Sequence, residues 1–339
     1  MTPLRALAIR LGCVALAIFL VGISQTSAAG VKLGEGVLDA IVKLRAEVPS
    51  DARSAETLGT EREGSGVLID ADGLVVTIGY LIMEASRVEI ETSDGRTVPA
   101  NVVAYDYDSG FGLVRAQTPL KLKPMELGES RNLKERTPVV AASYGGPESA
   151  IGAYVVSRRT FAGYWEYLLE DAIFTAPAHP QFGGAALIGE DGTLLGIGSL
   201  VVADAFHGAS ASPIAGNMFI PIDALKPILG DMLAHGRPAA KSKPWLGVTS
   251  DVVHGRIFIS HVQKDSPAAQ AGLKSGDLLL AVAGQPLDSL EAFYRKLWSL
   301  GEGGVDVPMT VLPRSAIVPI EMKVRSADRY RFLKLNQTY

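Results

Sequence analysis

Three stretches of this chain share one pattern: two short apolar runs turning on an Asp-Gly pair. They are "GSGVLIDADGLVVTIGYLI" (residues 64–82) around Asp72-Gly73, "SRVEIETSDGRTVPANVVAYD" (86–106) around Asp94-Gly95, and "AALIGEDGTLLGIGSLVV" (185–202) around Asp191-Gly192. Asp-Gly between alternating apolar runs is a β-hairpin signal, because glycine reaches the positive φ that tight hairpin turns require. Repeated at short spacing, it predicts an all-β barrel or sandwich. The 36 glycines fit a chain with many such turns. With 339 residues, 47% of them hydrophobic, two or three domains can each bury a core.

The N-terminus has a different texture. Arg5 and Arg10 precede an apolar run over residues 11–23, followed by small residues up to Ala29. That order describes a secretory signal peptide, residues 1–29, cleaved after Ala29. An uncleaved segment would instead leave a membrane anchor, although the run is short for a span. The single cysteine, Cys13, lies inside it, so the exported chain would carry no thiol, disulfide or cysteine metal site. The net charge of −4 gives no basic field and argues against a nucleic-acid partner. No His-Glu-x-x-His motif or other ligand-spaced histidine pair is present, so no metal or cofactor is expected.

Residues 30–55 contain "VLDAIVKLRAEV", whose apolar spacing predicts a helix ending before Pro49. Strand-rich sequence then continues to "FIPIDALKPILGDMLAHG", a strand end followed by a helix stopping at Gly236. Residues 237–243 have linker composition. A second unit over 244–326 reads as strands "GRIFISHVQ", "DLLLAVAG" and "VPMTVLP" with a helix "SLEAFYRKLWSL" capped by Ser289. Residues 327–339 form a polar and aromatic tail without a clear assignment.

These segments, in order, resemble the HtrA family. "GSGVLIDADGLVVT" is similar to the family's opening strands, "LGES" to its Leu-Gly-Asp-Ser, "YGGP" to its Gly-x-Pro, and "FIPID" to the close of its barrel domain. "SPAAQAGLKSGDLLLAVAGQPLDSLEAF" resembles the central segment of a PDZ domain. The resemblance implies an all-β, trypsin-like double β-barrel over 56–236 followed by an α+β PDZ domain. It also implies trimer-like homo- or hetero-assembly, while the signal peptide implies export to a periplasmic or extracytoplasmic location.

The family's serine-protease chemistry needs a hydroxyl, an imidazole and a carboxylate in contact. The positions matching the family's His, Asp and Ser hold Tyr80, Gly110 and Gly183. A phenol with a pKa near ~10 is a poor base at neutral pH, and glycine brings no side-chain chemistry. His179, four residues before Gly183, reads as a structural loop histidine. The expectation is therefore a protein that is not an enzyme and that binds C-terminal or unfolded polypeptide, with regulation of an active relative by mixed assembly compatible with it. The alternative is an active HtrA-type serine endopeptidase in envelope protein quality control.

"KPWLGV" resembles the family's carboxylate-binding loop, in which backbone amides hold a peptide's C-terminus. The resemblance implies peptide binding by Trp245, Leu246, Gly247 and Val248, with Phe293 and Leu297 of the following helix near the groove. Phe293 and Leu297 stand four apart and share a helix face, and the alternative for one of them is a place in the core.

Overall fold

Alternating burial along β1 (Ile41–Glu47), with Ile41, Val42, Leu44 and Ala46 inside, starts the first of two closed barrels. The computed structural model describes residues 31, 33–206 and 212–333, so the expected signal peptide, residues 1–29, lies outside the described residues. The first barrel adds β2 (Glu61–Leu68), β3 (Leu74–Ile78), β4 (Arg87–Glu91), β5 (Thr97–Tyr105) and β6 (Phe111–Ala116), in the order β1-β2-β3-β6-β5-β4. The second consists of β7 (Pro138–Ala142), β8 (Ala150–Gly163), β9 (Tyr167–Ala176), β10 (Ala186–Ile188), β11 (Leu194–Phe206) and β12 (Ile214–Pro221), in the order β10-β11-β12-β9-β8-β7. Closure leaves each barrel without free strand edges.

All three Asp-Gly pairs turn between paired strands: β2 and β3, β4 and β5, β10 and β11. Gly73, Gly95 and Gly192 have φ of 83°, 81° and 78°, the backbone that selects glycine. The helix expected over residues 37–48 is corrected. Only Val37–Ala40 winds, as one 3₁₀ turn, and the rest is β1. Its apolar residues fit both periods, and pairing with β2 and β4 on either side decides for the strand.

After β12, α2 (Leu229–His235) ends on Gly236 with φ 72°, as its sequence predicts; the shorter α1 is Ala55–Leu58. The C-terminal unit holds β13 (Pro244–Trp245), β14 (Val248–Val253), β15 (Arg256–Val262), α3 (Pro267–Gln270), β16 (Leu278–Val282), β17 (Gln285–Pro286), α4 (Leu290–Trp298), β18 (Asp306–Leu312) and β19 (Ile320–Arg325). Its main sheet runs β14-β15-β16-β18-β19. Ser289 caps α4 by accepting from the amide of Ala292. The tail forms β20 (Ala327–Asp328), paired with β13, and α5 (Arg329–Phe332). It packs back on the first barrel: Tyr330 donates to Asp106 and its ring meets Tyr107 edge-on. Among the described residues no helix is long and apolar enough to cross a membrane.

Candidate functional sites

The first candidate site lies where the barrels meet. Tyr80 follows β3, Gly110 precedes β6, and Gly183 precedes β10, so two barrels contribute three turns. These turns are stitched together by backbone bonds. Gly79 donates to the carbonyl of Gly110 at 2.7 Å, and Ser65 of β2 donates to the carbonyl of Gly183 at 2.8 Å. A Cβ placed on Gly183 would stand 3.0 Å from the Tyr80 hydroxyl. A Cβ on Gly110 would stand 3.4 Å from the Tyr167 hydroxyl and 3.2 Å from Ile220. The phenol of Tyr80 thus fills the space beside Gly183, and it donates to the carbonyl of Ser199 on β11 at 3.0 Å. Burial pushes its pKa well above the ordinary value, so it stays protonated at neutral pH.

The backbone of Tyr80 is held by a buried cation. The Arg62 guanidinium donates to the carbonyls of Tyr80 (2.9 Å) and Met83 (2.8 Å) and to the Ser54 hydroxyl (2.9 Å). Burial pulls its pKa down, while Glu84 nearby pushes it up. His179 is buried, and its two ring nitrogens meet main-chain groups. Its Nε2 meets the carbonyl of Ser149 at 2.9 Å, and its Nδ1 accepts from the amide of Gln181. An accepting Nδ1 assigns the ring proton to Nε2, so His179 acts as a loop brace, as its sequence context suggests. Ser143 donates to the side chain of Gln181 at 2.7 Å.

The second site lies in the C-terminal unit. Gly247 has φ 80°, and a Cβ there would collide with Ser266. This backbone turns three consecutive amides to one point, and a carboxylate stands there. Leu246 donates to Glu166 Oε2 at 2.9 Å, Gly247 to Oε1 at 2.6 Å and Val248 to Oε1 at 2.9 Å. Glu166 belongs to the hairpin between β8 and β9 of the second barrel. Burial raises its pKa, opposed by the three amides and by the charge of Arg329.

Trp245 is buried against Phe332 of the tail, with ring centroids 4.5 Å apart. Phe293 and Leu297 are both fully buried, in one apolar cluster with Leu246 and Val248. Leu168 of β9 belongs to that same cluster. Sequence reasoning missed Glu166, Leu168 and Tyr294. Tyr294 donates to the carbonyl of Gly163 at 2.7 Å and accepts from the amide of Glu166 at 3.2 Å. Nothing local in "GYWEYLL" marks a glutamate that works some 80 residues away.

Comparison with known proteins agrees with this architecture. Residues 64–197 match the trypsin-like peptidase domain family, and residues 258–311 match the PDZ domain family. Among curated relatives, "Periplasmic serine endoprotease DegP" of Salmonella typhimurium is 26% identical over 286 residues, covering 78% of this chain and 57% of the relative. "Serine protease PepD" of Mycobacterium tuberculosis is 29% identical over 277 residues, covering 76% of this chain and 59% of the relative. "Serine protease HTRA1" of Xenopus laevis is 26% identical over 293 residues, covering 74% and 60%. The chain thus spans between half and three fifths of these relatives' length.

A solved structure described as "HtrA-type protease AlgWS227A with tripeptide" has a TM-score of 0.50 at 19% identity, covering 89% of this chain and 94% of that one, and shows the shared fold. The expectation that the chain is not an enzyme is corrected by these relatives, each of which is named a serine protease or endoprotease. The chain is thus similar to HtrA-type proteases in having a trypsin-like peptidase domain followed by a PDZ domain.

Proposed function

We propose that this chain is an exported HtrA-type protein that acts on polypeptides and takes hold of their C-termini with its PDZ domain. One observation carries the second part: three consecutive amides, from Leu246, Gly247 and Val248, converge on one carboxylate. Converging amides match the geometry by which such loops hold a peptide's terminal carboxylate. The names of the relatives add the reaction class, serine endopeptidase, and the location, the periplasm. Assembly into homo- or hetero-oligomers follows from the same resemblance.

The closeness of Tyr80 to Gly183 and the backbone bond between Gly79 and Gly110 support the alignment of Tyr80, Gly110 and Gly183 with the family's triad positions. These residues bring no aliphatic hydroxyl, imidazole or carboxylate. Hydrolysis at this cleft would have to draw its nucleophile and base from other side chains. The purified chain, incubated with unfolded casein and a fluorophosphonate probe, tests the reaction. Casein fragments together with a labelled serine are the outcome that supports serine-endopeptidase chemistry. Intact casein with no label would overturn it and leave polypeptide binding standing.

A further inference from the structure

The hairpin joining β8 to β9 meets the PDZ groove as an extended peptide would, at each of the three points that such a peptide uses. At the first point, Glu166 supplies the carboxylate, held by the amides of Leu246, Gly247 and Val248. At the second, the carbonyl of Tyr164 accepts from the amide of Ser250 at 2.8 Å. Ser250 lies on β14, which pairs with β15 and ends the main sheet. An added strand there is how an incoming peptide gains its main-chain bonds. At the third, Leu168 sits in the apolar cluster of Leu246, Val248, Phe293 and Leu297.

The hairpin is also fastened from the helix side. Tyr294 of α4 bonds to both Gly163 and Glu166. Arg295 pairs with Glu170 at 2.6 Å on the exposed side of the contact. Glu166 itself holds φ 55°, a left-handed backbone that costs a non-glycine residue and that its bonds offset.

We infer that Glu166 is an internal ligand of the PDZ carboxylate loop, a side-chain stand-in for a polypeptide C-terminus that keeps the groove closed until a competing chain end displaces it. The inference rests on the assignment of this loop as a polypeptide-carboxylate receptor. It makes the closed and open forms two states of one site, and external affinity is reduced by the fraction of molecules that are open. A free α-carboxylate with an apolar terminal side chain is the competing chemistry. Such a peptide replaces both the Glu166 contacts and the place of Leu168.

The test is fluorescence anisotropy of a labelled peptide ending in an apolar residue with a free carboxylate, and of its C-terminally amidated twin. Each is titrated with the full chain, with Glu166→Ala and with Glu166→Gln. Gln keeps the shape and one acceptor oxygen while losing the charge, and it serves where Ala disturbs folding. Hydrogen exchange at the amides of Leu246, Gly247 and Val248 is read in parallel.

The expected result is affinity for the acid peptide rising in the order wild type, Gln, Ala, with a gain of about tenfold or more for Ala. The amidated twin should gain little, and exchange should be faster in both variants. Equal binding of the acid peptide by wild type and variants, with exchange unchanged, overturns the internal ligand and leaves the loop a peptide receptor. No binding by any of the three, with faster exchange in the variants, keeps the internal carboxylate and overturns peptide recognition instead. No binding with unchanged exchange removes both.

Discussion

Gly184 holds φ +76° directly after Gly183, and a Cβ there would collide with the carbonyl oxygen of Ser65. Gly95, at φ +81°, has nothing within 4 Å of where a Cβ would stand. The two separate backbone strain from crowding. Gly95→Ala should cost about 1 kcal/mol, the strain of the left-handed backbone alone. Gly184→Ala should cost about 3 kcal/mol, because overpacking against a strand adds to it. Urea denaturation of the two variants checks the difference. The buried Arg62 is the other sensitive residue. Arg62→Met removes the donors for the carbonyls of Tyr80 and Met83 and for Ser54, and should cost about 3 kcal/mol in the same measurement. On the surface, the Thr92 hydroxyl and then Arg96 hold the Asp94 carboxyl down at about 2. A folded pKa below the unfolded one stabilises the fold above the ordinary value of 3.8, and this contribution is lost as the pH falls through about 2. Carboxyl carbon NMR of Asp94 reads that midpoint directly; a midpoint near 4 would remove the contribution.

The hairpins are the elements that the sequence announces most clearly. An Asp-Gly turn is a local instruction, and the strands on either side of Asp72, Asp94 and Asp191 pair as their patterns predict. The cap of α4 is equally local, since Ser289 and the amide of Ala292 are three residues apart. Residues 37–48 show the opposite case. Their apolar spacing suits a helix and a strand equally, and the partners that select the strand, β2 and β4, come from elsewhere in the chain. The candidate sites divide in the same way. Gly247 and its loop are legible because the positive φ is written as glycine. Glu166 is not, because its role exists only once the β8–β9 hairpin meets β14. Tyr294 has the same standing. Its hydroxyl bridges Gly163 and Glu166, so Tyr294→Phe should loosen the hairpin by about 1 kcal/mol. Hydrogen exchange at the Glu166 amide should accelerate accordingly, while the amides of β16 stay unchanged.

At the scale of the whole molecule, three units are tied by contacts from the loop after β7, the β8–β9 hairpin and the tail. Tyr167 of the second barrel donates to the carbonyl of Ser109 in the first at 2.7 Å. Tyr144 ties the barrels again, through Ser65 and Glu91. Tyr330 of the tail reaches Asp106, Arg329 lies over Tyr107, and Trp245 meets Phe332. The PDZ unit is thereby set with its carboxylate loop facing the second barrel rather than open solvent. Its groove is closed by a segment of the same chain, and the loop's geometry is that of a receptor in its occupied form. The most direct measurement is an amide NMR titration of Glu166→Gln with a saturating free-carboxylate peptide and, separately, with its amidated twin. The acid peptide should shift the amides of Leu246, Gly247, Val248 and Ser250, and the amidated peptide should leave the first three nearly in place. Equal shifts with both peptides, or none with either, would contradict the assignment of this loop as a receptor for polypeptide carboxylates.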